Sequence, residues 1–235
     1  MTDTDKKTFE EEFPGPAPGQ EVFYKGYGLY MLYMNGDSDD CDEAARCFTI
    51  AAEMGNKYAQ NLLGECYMLG DGVGMDFEKA FSWFEKAAQQ DYAPAQVSIG
   101  QFYENGWDVV PEDKEEAVCW FTKAAHQKHP GGMYCLGKCF MNGTGVPKST
   151  NVGALWLAGA SALGHAAAHY DLGMYYCDPD NPERNLDLGI DYLKKAASEK
   201  DGYARQEDAI DALRKLSTVY KIRQAALVLE ELDEL

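Results

Sequence analysis

Four residues in the middle of the chain have the types and spacing of a metal site. His126, His129, Cys135 and Cys139 read H-x2-H-x5-C-x3-C. Thiolate and imidazole suit zinc, and two cysteines at i and i+4 share one face of a helix. His165 and His169 form a second i, i+4 pair, without a third ligand close by. The runs GDGVG (70–74) and NGTGV (142–146) have the glycine content of phosphate-cradling loops but lack the following Lys-Ser/Thr. No H-E-x-x-H, Walker loop, G-x-S-x-G or S-x-x-K is present, so the motifs of metalloprotease, nucleotide-hydrolysing and activated-serine chemistry are missing.

The same cysteines and glycines belong to a longer pattern. KAFSWFEKAAQQ (79–90) and EAVCWFTKAAHQ (116–127) align at an offset of 37 residues. AARCFTIAA (44–52), GALWLAGAS (153–161) and GIDYLKKAA (189–197) extend the series in steps of 36. A second line runs ahead of each copy, and its glycines Gly64, Gly100, Gly137 and Gly173 stand 36, 37 and 36 residues apart. On this register Cys135 takes the place of Leu62 and Ser98, and Cys139 that of Cys66 and Phe102. Repeat packing accounts for both, so neither a metal nor a cofactor is expected. A catalytic motif is needed once, whereas duplication at a fixed period is the mark of architecture.

Each line has helical spacing. Ala59, Leu63 and Tyr67 recur at i, i+4 and i+8, and Ala80, Trp83, Phe84 and Ala87 at i, i+3, i+4 and i+7. Gly70, Gly72 and Gly74 separate the two helices of one copy, and Gly143, Gly145 and Pro147 those of another. Each unit is therefore a helix, a glycine-rich turn and a second helix. One such pair cannot bury its apolar face alone, and stacking several makes a continuous core. Trp83 and Trp120 are expected to bury structural surface rather than to stack on a ligand.

The pattern A-x-x-x-L-G-x-x-Y-x-x-G-x-G-V, then D-x-x-K-A-x-x-W-F-x-K-A-A, resembles the Sel-one-like repeat (SLR) family, relatives of tetratricopeptide repeats. Residues 59–88 carry it most fully, from Ala59, Leu63, Gly64 and Tyr67 to Asp76, Lys79, Ala80 and WFEKAA. The resemblance covers roughly residues 21–200. It implies an all-α fold, a right-handed α/α superhelix (solenoid) whose concave face is lined by the first helix of each pair and serves protein–protein contacts. Repeats are expected at about 21–55, 56–91, 92–128, 129–164 and 165–200, after an acidic Pro/Gly-rich disordered tail (1–20). A C-terminal pair (201–235) is expected to cap the stack, on apolar spacing at Ile210, Leu213, Leu216 and Tyr220, then Ile222, Ala225, Ala226, Leu229 and Leu232.

Three turns depart from the pattern. The first, GDSDDCDE, is short and acidic, and its helix has Tyr30 where the repeat glycine belongs. The third, GWDVVPEDKEE, carries Trp107, and the fifth, CDPDNPERNLDL, has two prolines and no G-x-G. Such irregular turns are either drift or loops adapted to a partner. Some relatives in the cysteine-rich branch of the family are associated with binding or hydrolysing penicillin-like compounds. Its pairing of helix-end cysteines is absent here, where Ala52, Ala88, Ala125, Ser161 and Ala197 stand instead.

The net charge of −18 opposes binding to nucleic acid or an anionic membrane. It serves solubility, or else a basic or mixed-charge protein partner. No apolar run approaches 18 residues, and MTDTDKKTFEEEF lacks the apolar core of a signal peptide. A cytoplasmic location is expected, in agreement with seven cysteines, an odd number. Asn142-Gly-Thr144 then has no route to glycosylation, and the final LDEL departs from a retention signal at its first residue.

What remains is the first-helix stripe at i, i+4 and i+7: Tyr27, Met31, Met34; Asn61, Glu65, Met68; Val97, Gln101, Glu104; Tyr134, Lys138, Met141; and Tyr170, Met174, Cys177. Tyr and Met suit an adaptable protein-binding groove, and some of these positions pack between repeats instead. The expected protein is a non-enzymatic adaptor or scaffold that takes a peptide or protein partner on this face. The alternative, from the resemblance alone, is a small-molecule (β-lactam-like) binder or hydrolase.

Overall fold

The structure is a computed structural model that describes residues 13, 17–38, 41–198, 205–218 and 223–233. It contains twelve helices and no strand among the described residues. They are α1 (Gln20–Met34), α2 (Asp42–Glu53), α3 (Lys57–Leu69), α4 (Phe77–Ala88), α5 (Ala93–Asn105), α6 (Lys114–His126), α7 (Pro130–Asn142), α8 (Thr150–Ala162), α9 (Ala166–Cys177), α10 (Leu186–Ser198), α11 (Arg205–Thr218) and α12 (Arg223–Asp233). Consecutive helices pair as the period requires. The expected tail lies outside the described residues except for Phe13 and residues 17–20, as do Tyr220 and Ile222 of the expected cap.

The repeat writes its own helix starts. The carboxylates of Asp76 and Asp113 accept the backbone N–H groups of Lys79 and Glu116 at 3.0 and 2.9 Å, and the Asn185 amide oxygen accepts that of Leu188 at 3.1 Å. Each satisfies an N–H that the first helical turn leaves without a partner. The turns ahead of these caps differ in sequence but close on one bond. The N–H groups of Asp76, Asp113, Ser149 and Asn185 donate to the carbonyls of Tyr67, Tyr103, Phe140 and Tyr176 at 2.8, 2.8, 2.8 and 2.9 Å. That shared closure is why an irregular turn leaves the helix pair intact. In the G-x-G turn, Gly72 has φ +65° and approaches α2 so closely that a Cβ would stand 2.5 Å from the Cys41 carbonyl oxygen.

The chain divides into two units at Gln127/Lys128. In the first unit, α1 to α6, the fully buried side chains include Phe23, Phe48, Leu63, Phe84, Ile99, Phe102 and Phe121. The repeat glycines make room for the aromatic of their own pair: a Cβ on Gly64 would sit 2.8 Å from Phe84, and one on Gly100 2.4 Å from Phe121. The first pair has this approach too. Gly26, four residues before Tyr30, is placed so that its Cβ would meet Cys47 at 2.7 Å and Phe48 at 3.1 Å. The glycine is thus displaced by one turn of helix rather than missing. The Tyr30 hydroxyl meanwhile reaches forward to donate to Asp71 in the next turn.

The tryptophans pack on the core as expected, but only partly buried. Trp83 and Trp120 are half-buried, and the residues after them, Phe84 and Phe121, fill the core at 0% exposure. Each indole packs its inner edge on the core and carries a lysine ammonium over its ring, Lys86 at 3.6 Å and Lys123 at 3.5 Å. The W-F-x-K spacing puts Trp and Lys at i and i+3, neighbours on the helix surface. Trp107 of the third turn lies edge-on to Phe102 at 4.9 Å and stacks on Phe77 at 6.1 Å.

The second unit, α7 to α12, packs with less aromatic bulk. Its fully buried large side chains include Leu136, Leu157, Leu172, Ile190, Leu193 and Leu213. Here both helices of a pair carry glycine: a Cβ on Gly153 would stand 2.8 Å from the Gly137 carbonyl oxygen, and one on Gly189 3.0 Å from that of Gly173. The backbones of α7/α8 and α9/α10 therefore approach directly. Leu213 and Leu216 of α11 and Ala225 and Val228 of α12 close the core around Ile190 and Leu193, in the segment expected to cap the stack.

Candidate binding site

The predicted stripe is divided between the two units. In the first, Met31 and Met34 are exposed, and Tyr27 is half-buried against the α1–α3 core. Met68 packs on the α4–α5 core. Asn61 is buried and its Nδ2 donates to Glu65 Oε1 at 2.7 Å, while its Oδ1 has no partner. Burial pushes the Glu65 carboxyl up from the ordinary range, and the Asn61 bond opposes that in part. Burial also raises Glu104, with Lys114 opposing, and pushes the Cys66 thiol up to about 12. Gln101 is half-buried and accepts at its carbonyl from Asn105. Apart from the exposed Met31 and Met34, these residues are engaged with one another or with the core.

In the second unit the stripe converges. Lys138 and Met141 of α7 and Met174 of α9 line one hollow of about 430 Å³. Its other walls include Asp171 and Tyr175 of α9 and Asp178, Asp180, Asn181 and Pro182 of the fifth turn, with Asn142 and Thr150 at the ends of α7 and α8. Lys138 Nζ donates to Asp171 Oδ2 at 2.9 Å, so the one cation at this hollow is already paired and Asp178 and Asp180 leave it acidic. Beside it a smaller hollow of about 190 Å³ shares Met174 and Asp178, and adds Cys177, Arg184, Lys215 and Leu216. The floor is apolar in both, with acid on one side of Met174 and base on the other. Tyr134 and Tyr170 stand away from it. Tyr134 stacks on His165 at 4.4 Å, and Tyr170 packs on the α9–α12 core.

The fifth turn is held in place by its own polar residues. Asn181 Nδ2 donates to the Tyr175 carbonyl at 2.7 Å, and its Oδ1 accepts the N–H of Glu183 at 3.0 Å. The Tyr175 hydroxyl donates to Glu183 Oε2 at 3.0 Å, and Asn151 Nδ2 donates to Glu183 Oε1 at 3.1 Å. The Asp178 carboxylate accepts the N–H of Asp180 at 2.9 Å. The stripe did not contain Asp171, Asp178, Asp180, Arg184 or Lys215. The departure of CDPDNPERNLDL from the G-x-G turn was a signal for Asp178, Asp180 and Arg184, and Asp171 and Lys215 had none.

The four residues of the histidine–cysteine pattern stand in different settings, with His126 exposed and Cys135 half-buried. His129 Nδ1 accepts the N–H of Gly132 at 3.2 Å as the cap of α7, Cys139 is buried, and burial lowers the basicity of His129 and His165. No group of three metal-ligating side chains forms among the described residues, and none of the seven cysteines is in a disulfide.

The Sel1 repeat pattern matches residues 25–56, 57–92, 93–129, 130–165 and 166–201. The chain belongs to the Sel1 repeat family. Its helix pairs are those of solved Sel1 structures. A Sel1 repeat protein from Oxalobacter formigenes superposes with a TM-score of 0.75 over 95% of this chain and 90% of its own, at 23% identity. A protective antigen of uropathogenic Escherichia coli displaying an SLR fold superposes with a TM-score of 0.73 over 99% of this chain, at 26% identity. This Sel1 protein spans 48% of that antigen. By sequence, 70 residues are 33% identical to the ERAD-associated E3 ubiquitin-protein ligase component HRD3B of Arabidopsis thaliana. The match takes in 30% of this chain and 12% of HRD3B. Sel1 repeats mediate protein–protein interaction, and no helix among the described residues is long and apolar enough to cross a membrane.

Proposed function

We propose that this Sel1 repeat protein is a non-enzymatic adaptor whose partner enters by the first-helix face of the second unit. The observation that carries the reading is the convergence of Lys138, Met141 and Met174 with the acidic fifth turn in one hollow. Two methionines form an adaptable apolar floor, and Asp178 and Asp180 favour a basic side chain above it. The fitting partner is a peptide or folded protein that presents a lysine or arginine beside an apolar residue. The net charge of −18 acts in the same sense, by speeding the approach of a basic partner at low salt. A ligase component among the relatives is in keeping with an adaptor role. The pinned turn then has a purpose that drift lacks, because its polar residues hold Asp178 and Asp180 at the rim.

The test is co-purification of bound proteins by the intact chain and by Asp180→Lys and Met174→Ala variants, with mass spectrometry of what is retained. The reading expects one set of partners to be lost from both variants while helicity is unchanged. If both variants retain every partner, the hollow is not the site.

A further inference from the structure

The smaller hollow beside Met174 carries a second set of charges, apart from those that favour a basic side chain. It measures about 190 Å³ and lies between α9, the fifth turn and α11. Ala212, Lys215 and Leu216 stand at i, i+3 and i+4 of α11, so they share one face of that helix. Leu216 is buried and Lys215 exposed, which gives this wall an apolar surface with a cation at its edge. Arg184 of the fifth turn supplies a second cation, and its backbone N–H donates to the Asn181 carbonyl at 3.0 Å. Its guanidinium is near enough to Cys177 to oppose the burial that pushes that thiol up to about 11. Lys138 and Arg214 of the same unit are paired with Asp171 and Asp211. Arg184 and Lys215 have no ion pair among the described residues, although Asp178 lines the same hollow. In a chain of net charge −18, two such cations at one hollow are a local exception to the field.

On the adaptor reading, with the partner entering by the first-helix face of the second unit, we propose that the smaller hollow receives a glutamate side chain of that same partner. The occupant is then a linear segment of mixed charge. It sets a basic residue at Asp178 and Asp180, an apolar residue on Met174, and a glutamate at Arg184 and Lys215. The walls choose among anions. Met174, Ala212 and Leu216 offer an apolar lining to the two methylenes of glutamate, while the guanidinium and ammonium groups meet its carboxylate. A phosphate group carries about two charges and no apolar stem, and it would face Asp178 at the same rim. The arrangement also gives specificity. Arg184 and Lys215 repel a purely basic segment, which the acidic chain would otherwise attract without discrimination.

The test selects short peptides from a random displayed library on the full chain, on the double variant Arg184→Gln/Lys215→Gln and on Asp180→Lys, all of equal helicity. The wild type should enrich peptides that combine a basic, an apolar and a glutamate residue at fixed spacing. The double variant should lose the glutamate and keep the other two, whereas Asp180→Lys should lose the basic residue. Anisotropy of an enriched peptide labelled with fluorescein then completes a cycle. Glutamine in place of its glutamate should weaken binding at least about fivefold on the wild type and change nothing on the double variant. Enriched peptides with the basic and apolar residues but no acidic position overturn the glutamate assignment alone and leave the adaptor reading standing. Peptides that bind without dependence on Asp180 overturn the adaptor reading at this face, and the glutamate's place with it. A library that yields no shared pattern overturns both. Tighter binding with phosphoserine in place of the glutamate would reassign the hollow to phosphate and overturn the carboxylate.

Discussion

Gly100 lies flat against the ring of Phe121, so that a methyl group on its Cα would stand 2.4 Å from Cε1 and 2.6 Å from Cδ1. Phe121 is fully buried and cannot swing aside without opening a void. Gly100→Ala should therefore destabilise the chain by about 1–3 kcal/mol through overpacking. Gly28 is the internal control: it is also helical, but its Cβ would meet nothing within 4 Å. Gly28→Ala should be neutral or stabilising by about 0.5–1 kcal/mol, since alanine is the better helix former. Thermal unfolding followed by circular dichroism compares the two, and equal shifts would refute the close-approach account.

The aromatic pair Trp120–Phe121 divides its work between surface and core. Phe121→Ala removes a ring at 0% exposure and should cost about 3–5 kcal/mol. Trp120→Ala removes a half-buried ring whose outer face carries Lys123, and should cost clearly less. Lys123→Ala tests the cation–π contact alone, worth about 0.5–1 kcal/mol at an exposed site. Urea titration of the three variants orders them, and a larger loss for Trp120→Ala than for Phe121→Ala would contradict the burial pattern.

Lys138 and Asp171 tie α7 to α9 across one repeat. The Asp171 side chain is 11% exposed and that of Lys138 36%, so the pair is only partly screened by solvent. A double-mutant cycle of Lys138→Met and Asp171→Asn should give a coupling of about 1 kcal/mol at low ionic strength, smaller in 1 M salt. A coupling of zero at low salt would mean that the pair contributes nothing beyond its geometry.

Glu65 gives the first unit a pH dependence of identifiable sign. Burial raises its carboxyl in the folded chain, so between the unfolded value, about 4.3, and the raised value the folded state holds more protons. Stability from this group is fully present below the unfolded value and is lost as pH rises through the folded one. Glu65→Gln keeps the shape, cannot ionise, and leaves the Asn61 amide a carbonyl to donate to. It should be more stable than the wild type at pH 7, with the difference vanishing below about pH 4. Denaturation midpoints at both pH values measure it, and a variant less stable at pH 7 would reverse the sign.

Much of this protein is local, and the local part was legible. A period of 36 to 37 residues, the i, i+4 spacing of each line and capping residues such as Asp76 and Asp113 determine where helices begin, pair and end. Those features act over one turn of helix or between neighbouring repeats, so a linear reading contains them. The stripe was legible as a list of positions, but not that Lys138, Met141 and Met174 share one hollow and Met174 and Cys177 the smaller one beside it.

Tertiary structure decided the rest, because it turned on rotation and distance. Both Trp83 and Phe84 fit the helical period, and only the seating of α4 against its neighbours puts the phenyl ring inside and the indole at the edge. Gly26 replaces the expected glycine because a one-turn shift along α1 faces the same ring. Asp178 and Asp180 lie about forty residues from Lys138 in the chain and meet it only because consecutive pairs stack. Phe13 belongs to no repeat, and only the folded chain sets its ring against Phe23, Tyr27 and Tyr58. The sequence by itself determined a Sel1 stack of helix pairs, through interactions that reach one repeat at most. The sites on that stack were decided where side chains from different repeats came together, by packing that no single segment encodes.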